Sequence, residues 1–150
     1  MKGVYVLLLE IPKDYTRRIG SLGVMQFKKG IYAYIGSAQS SLFPRLERHY
    51  AKRRKKHLHW HIDYLTSFRI VRMKEAIYAR TDSKKSECLL TEKLLALPFS
   101  KPVPHFGSTD CKHGCGSHLL LMLDSSQEQI VSSIIENCKE LALEPLVYER

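Results

Sequence analysis

The chain lacks any long apolar run. Its longest, Val4 to Leu9, gives way to Glu10 and Pro12. A membrane span needs about 20 apolar residues, so no transmembrane helix is expected. Lys2 ahead of that run imitates the start of a secretory signal, but the run is too short and no small-residue cleavage site follows it. The expectation is a cytoplasmic protein with no membrane partner. Cysteine is scarce, limited to Cys88, Cys111, Cys115 and Cys138. Without a secretion signal, these do not suggest a disulfide framework. Only Cys111 and Cys115 stand close enough in sequence to suggest shared chemistry. Acidic residues are in deficit too, 15 against 24 lysines and arginines, for a net charge of +9.

What is present is ordinary for a globular fold. At 44% hydrophobic and 26% charged, the 150 residues are too apolar for a disordered chain, and their number suits one domain. The charge is unevenly spread. Arg45 to Lys56 reads RLERHYAKRRKK and carries seven bases against one acid, so +6 of the +9 lies there. From Asp124 onward six acids face two bases. A basic concentration beside an acidic tail is the electrostatic footprint of a polyanion binder, here DNA or RNA. The plainer alternative is a solvated helix face.

The pattern of elements is mixed. Gly3–Ile11 is β-branched and leucine-rich and stops before Pro12, so it reads as a buried strand. Asp14–Gly23 reads as a connecting loop. Val24–Phe27 and Gly30–Gly36 follow, the latter a strand with Tyr32 and Tyr34 on one face and Ile31 and Ile35 on the other. A helix is expected to open near Arg45, with Pro44 at its first position. His57–Ser67 suits a helix by its Leu58, Ile62, Leu65 spacing. Further on, Phe68–Ala79 resembles a strand, Ser86–Leu97 a helix stopped by Pro98, and Ser117–Leu123 a strand. Ser125 to Glu128 reads as a capping box, opening a helix with Ile130, Ile134, Cys138 and Leu141 as its apolar stripe. A short strand, Leu146–Tyr148, ends the chain. There are no repeats and no linker, which predicts a single α/β domain over residues 1–150.

Gly3-Val4-Tyr5 on the first strand, Tyr34-Ile35-Gly36 on a later one and Arg45-Leu46-Glu47-Arg48-His49 at the next helix form an arrangement that resembles the GIY-YIG nuclease superfamily. The string GIYAYIG at Gly30–Gly36 is misleading, because the superfamily places its two tripeptides on different strands. His59 to Leu65, Phe106 to Cys111 and Ser117 to Leu119 carry a closer resemblance to a small, mainly archaeal branch of uncharacterised GIY-YIG-like proteins. Together these stretches cover nearly the whole chain. The resemblance implies a small, mainly antiparallel central sheet flanked by helices, with a C-terminal strand and helix added. It also implies a divalent-metal-dependent endonuclease that cleaves phosphodiester bonds with one Mg²⁺ or Mn²⁺.

Phosphodiester cleavage needs an activated water, charge stabilisation and a metal on the phosphate oxygens. Tyr5 and Tyr34, on neighbouring strands, are placed to project phenols into one cleft. In the superfamily a tyrosine is thought to activate the water, a role that asks for a nearby cation to favour phenolate. Arg45 offers a guanidinium suited to phosphate, and His49, one turn on, shares its helix face. The competing reading is that strand tyrosines simply pack, with the hydroxyl reaching water. The resemblance draws the metal carboxylate from a later helix, where Glu87 matches; Glu92 is its rival, and a charge favourable to the helix N-terminus is the plainer reading. Arg48, Lys52, Arg53, Arg54, Lys55 and Lys56 are the candidate nucleic-acid contacts.

Two features depart from the superfamily pattern. The loop between the motif strands is long, and the usual downstream asparagine is missing, the single asparagine being the distant Asn137. His105 and Asp110 stand as its substitutes. His57, His59 and His61 would be split by a helix between two faces, and beside a basic run they are read as solvent-exposed or phosphate-contacting rather than metal-binding. Cys111, His113, Cys115 and His118 crowd four soft or borderline ligands into eight residues, a candidate structural zinc site. Set against zinc is a Gly-rich turn with small buried thiols. Two other functions compete with the nuclease: a catalytically inactive nucleic-acid-binding module, and an interaction module whose acidic final helix recruits a repair or RNA-processing protein.

Overall fold

The computed structural model describes residues 2–51, 58, 60–107 and 114–149. Six strands form one antiparallel sheet: β1 (Gly3–Ile11), β4 (Gly30–Ala38), β5 (Arg72–Arg80), β6 (Ser100–Pro102), β7 (Leu119–Met122) and β8 (Leu146–Val147). Their order is β6-β7-β4-β1-β5-β8. β2 (Tyr15–Arg18) and β3 (Val24–Phe27) make a separate two-stranded hairpin. Four helices flank the sheet: α1 (Leu42–Tyr50), α2 (His61–Thr66), α3 (Ser86–Leu95) and α4 (Gln127–Glu140). No helix among the described residues is long and apolar enough to cross a membrane. The molecule is thus the expected single α/β domain, with a C-terminal helix and strand.

β1 is central because it is apolar on both faces, as a strand paired on both sides and covered above and below must be. Side chains alternate across a sheet. Tyr5, Leu7 and Leu9 therefore join Tyr32 and Tyr34 of β4, Leu42 and Leu46 of α1, and Ile62 and Leu65 of α2 in one core. Val4, Val6 and Leu8 join Ala33 and Ile35 with Leu90 and Leu94 of α3 and Ile130, Ile134 and Cys138 of α4 in the other.

Several expectations are corrected. Asp14–Gly23 is not merely a loop. Tyr15–Arg18 alternates half-buried and exposed residues and pairs with β3 in the register Tyr15↔Phe27, and a single 3-10 turn at Gly20–Leu22 joins the two strands. The long connection between the motif strands is thus a hairpin that buries Ile19 and Phe27. α1 opens at Leu42, earlier than expected, because burial of Leu42 with Leu46 sets its first turn. α2 starts only at His61. β5 begins at Arg72, α3 stops at Leu95, β7 covers Leu119–Met122, and β6 is an added strand at the sheet edge. The capping box of α4 sits one residue later than read: Ser126 Oγ accepts from Gln129 N–H, and Gln129 Oε1 accepts from Ser126 N–H.

Candidate functional site

The register of β1 against β4 sets Tyr5 opposite Gly36, Leu7 opposite Tyr34 and Gly3 opposite Ala38. GVY and YIG are therefore adjacent antiparallel segments, with Tyr5 and Tyr34 on the same face. Gly36 is required there by space rather than by backbone angle. A Cβ at this position would come within 2.6 Å of both Cζ and Oη of Tyr5, so only glycine lets the Tyr5 ring lie across the neighbouring strand.

A pocket of about 370 Å³ opens on this face. Tyr5, Tyr34, Arg45, His49 and Glu87 all line it, together with Ser37, Trp60, His61, Tyr64 and His118. Arg45 and His49 share one face of α1 with the buried Leu42 and Leu46, so the packing of the helix aims both polar side chains at the sheet. Glu87 arrives from the first turn of α3. The body of that helix packs on the opposite sheet face, but the last bond to β4 from the segment leading into β7 is Ile35 N–H to the His118 carbonyl, and Ser37 lies beyond it. There Ser37 Oγ donates to Glu87 Oε2 at 3.1 Å. Glu92 is exposed and does not line the pocket.

Most polar side chains here are held. Tyr5 Oη and His49 Nε2 lie 2.7 Å apart. Arg45 Nη1 donates to the Ser37 carbonyl at 2.7 Å. Arg48 Nη2 donates at 2.8 Å to Asp63 Oδ2, which also accepts the Trp60 N–H at 2.9 Å. Arg48 is thus tied by a buried carboxylate on α2. The guanidiniums of Arg45 and Arg48 lie 4.6 and 5.2 Å from the centroid of the Trp60 ring, so one indole is in cation–π contact with both cations. His61 Nδ1 accepts the Gly107 N–H at 2.9 Å, which in the neutral ring leaves the proton on Nε2. Gly107 adopts a positive φ of 74°, and its approach to Tyr34 and His118 closes that side of the pocket.

The electrostatics revise the expectation for the phenols. Burial pushes the pKa of Tyr5 well above its ordinary value, against the lowering effect of Arg45, while Glu87 adds to the rise. Tyr34 is raised in the same way, first by burial and then by its charge coupling to Tyr5 and Glu87. Arg45 is the expected cation, but desolvation outweighs it. Burial lowers the pKa of His118, favouring its neutral form.

Trp60 and His61 are pocket residues to which sequence reasoning gave no catalytic role of their own. His61, expected to be solvent-exposed or to contact phosphate, is buried and lines the pocket, because the helix starts at this residue and turns it inward. His105 is exposed, in the left-handed region at φ 66°, and does not line the pocket, so it cannot stand in for the missing asparagine. Asp110, Cys111 and His113, the histidines at 57 and 59, and the basic stretch Lys52, Arg53, Arg54, Lys55 and Lys56 lie outside the described residues. Cys115 and His118, grouped from sequence, do come together, and a third candidate ligand joins them from elsewhere in the chain. One ligating atom from each of Cys88, Cys115 and His118 lies within 4.8 Å of the others, so the thiol that joins Cys115 among the described residues comes from α3.

No curated protein and no solved structure matches the chain. A family described as "Domain of unknown function DUF123" matches residues 4–142. With nearly its full length covered, the chain belongs to the DUF123 family.

Proposed function

We propose that this protein is a cytoplasmic, nucleic-acid-binding endonuclease of GIY-YIG type that hydrolyses phosphodiester bonds in DNA or RNA with one Mg²⁺ or Mn²⁺. The observation that supports this reading is the convergence of Tyr5, Tyr34, Arg45, His49 and Glu87 on one pocket from three separate parts of the chain. The donor chemistry fits the ion. Glu87, half-buried and hydrogen-bonded by Ser37, offers a carboxylate in an oxygen-rich setting, and Mg²⁺ favours one or two carboxylates with water and phosphate oxygens. When bound, the ion would supply Lewis acidity at the phosphate.

The chain's own groups divide the remaining work. A standing phenolate is opposed by burial, so Tyr5 acts as a relay. Its oxygen takes a proton from the attacking water as its own proton passes to His49 Nε2, leaving Tyr5 neutral and His49 as imidazolium. Arg45, fixed by the Ser37 carbonyl and Trp60, presents positive charge to the phosphate as charge builds in the transition state. Trp60 adds a flat face on which a base can stack.

A second reading draws on the same pocket: a catalytically silent nucleic-acid-binding module. The burial that keeps Tyr5 and Tyr34 protonated favours it. Labelled DNA and RNA oligonucleotides, incubated with Mg²⁺, with Mn²⁺ and with chelator, separate the two. The nuclease cleaves only with metal, and Glu87→Gln abolishes cleavage while leaving metal-free affinity equal or slightly higher. Arg45→Ala lowers both, cleavage more than affinity. Salt-dependent binding without cleavage would support the silent module. The absence of both would leave an interaction module that recruits a repair or RNA-processing protein.

A further inference from the structure

We propose that Cys88, Cys115 and His118 form a soft-metal site, occupied by Zn²⁺, that clamps the first turn of α3 to the 114–118 segment beside the pocket. The three residues come from two distant parts of the chain, yet their ligating atoms lie within 4.8 Å of one another. Ligands about 2.0–2.3 Å from a tetrahedral zinc stand roughly 3.3–3.8 Å apart, so small rotamer changes close the set around an ion. Two thiolates with an imidazole are the donor set that zinc takes in preference to Mg²⁺ or Ca²⁺. This set is the chemical opposite of the oxygen-lined pocket next to it.

The surroundings prepare the histidine for this role. Thr91 Oγ1 donates its one proton to the Glu87 carbonyl at 2.7 Å. Its contact of 3.1 Å with His118 Nδ1 therefore runs the other way, with the imidazole donating. That fixes the Nδ1–H form and leaves the lone pair on Nε2. A histidine that donates its second N–H to an oxygen is the usual arrangement around protein-bound zinc. The backbone of His118 is pinned as well: its N–H donates to the Phe106 carbonyl and its carbonyl accepts from Ile35 N–H.

Charge balance fits the burial. Cys88 and His118 are buried and Cys115 is half-buried. Binding Zn²⁺ as two thiolates and one neutral imidazole releases two protons to the buffer and leaves the set with no net charge. A buried assembly with no net charge avoids the large desolvation cost of an isolated ion. Cys88 directly follows Glu87, and His118 itself lines the pocket, so the clamp fixes the height at which the Glu87 carboxylate sits.

The test is titration of the reduced, metal-free full-length protein with Co²⁺, followed by Zn²⁺ competition and metal analysis of the purified protein. The expected result is one Co²⁺ per chain with a thiolate-to-cobalt charge-transfer band, displaced by one Zn²⁺. Cys88→Ala should abolish that band, whereas Cys138→Ala, a thiol of α4 buried in the aliphatic core and absent from the cluster, should leave it intact. Thr91→Val retains all three ligands and should weaken cobalt affinity about 10-fold. The wild-type titration needs no variant to fold. The proposal is overturned by the absence of the band in wild type, by its survival in Cys88→Ala, or by a Cys88–Cys115 disulfide that persists in reductant. None of these readouts involves oligonucleotide cleavage, so the site stands or falls apart from the nuclease reading.

Discussion

The two faces of the sheet use the same strands for different ends. Facing α3 and α4, β1 contributes Val4, Val6 and Leu8 to a core of aliphatic side chains and one thiol. Facing α1 and α2, the same strand contributes Tyr5 between aliphatic neighbours, and buried His49, His61 and Asp63 surround it. Burying polar groups costs free energy unless each is hydrogen-bonded. Here Tyr5 meets His49, His61 meets Gly107, and Asp63 meets Arg48 and Trp60. The first face buys stability through packing alone, whereas the second accepts a costlier core and gains a positioned set of polar atoms.

The largest expected effect tests the first face. Ile134 is fully buried, so Ile134→Ala should lower stability by about 2–5 kcal/mol through lost transfer energy and the cavity left behind. Urea unfolding followed by circular dichroism measures it. Oligonucleotide affinity of the folded fraction should stay unchanged. A loss of affinity as large as the loss of stability would mean that the two faces are not separable.

Tyr5→Phe tests the other face with the opposite signature. It removes one hydroxyl, leaving His49 Nε2 without that partner, at about 1–3 kcal/mol. Under the proposed relay it removes metal-dependent cleavage while keeping the ring that packs against Gly36. Cleavage at the wild-type rate would eliminate Tyr5 from the chemistry and shift attention to Tyr34.

This division was only partly legible in the sequence. β1 and β4 could be read because an apolar β-branched run and alternation speak locally, and the resemblance set their tripeptides on neighbouring strands, while the register came only with the fold. β2 escaped because Arg17 and Arg18 mask the alternation of a strand whose pairing partner is short. Trp60 and His61 escaped because their role depends on where α2 begins and on Gly107, 46 residues away. Cys88 escaped for the same reason: nothing near it in sequence signals a partner thiol, and only the fold brings α3 alongside Cys115. Local signals fix elements, while sites assembled from distant segments need the packing.

Gly36→Ala should have a middling effect that sharpens the comparison. The added methyl collides with Tyr5 rather than with backbone, so the ring must tilt away. Overpacking of this kind costs about 1–3 kcal/mol, and tilting separates Tyr5 Oη from His49. The variant should remain folded and lose cleavage at least tenfold at saturating substrate. Restoration of the original geometry in a Gly36→Ala crystal structure, with full activity, would show that the ring has room to spare.

The smallest effect is read in alkali, where each face carries a buried acid that ionises late. Burial raises Cys138, on the aliphatic face, from its ordinary 9.0 to about 11. It raises Tyr32, on the site face, from 10.0 to about 12. Both groups are neutral in the folded protein at pH 7, and both would ionise more readily once unfolded. Above the ordinary value the unfolded chain gives up the proton while the folded chain keeps it, so the unfolded state gains and stability falls as pH rises. The loss should begin near pH 9 for Cys138 and near pH 10 for Tyr32, with each contribution exhausted once the folded group also ionises. Urea midpoints measured from pH 8 to 12 should therefore fall in two overlapping stages. Cys138→Ala should flatten the first, and Tyr32→Phe should lessen the second, to which the buried Tyr5 and Tyr34 also contribute, although Tyr32→Phe is somewhat less stable at pH 7 for want of the Lys28 contact. If both variants follow the wild-type slope throughout, other groups govern the alkaline limit, and the two faces are alike in their response to pH.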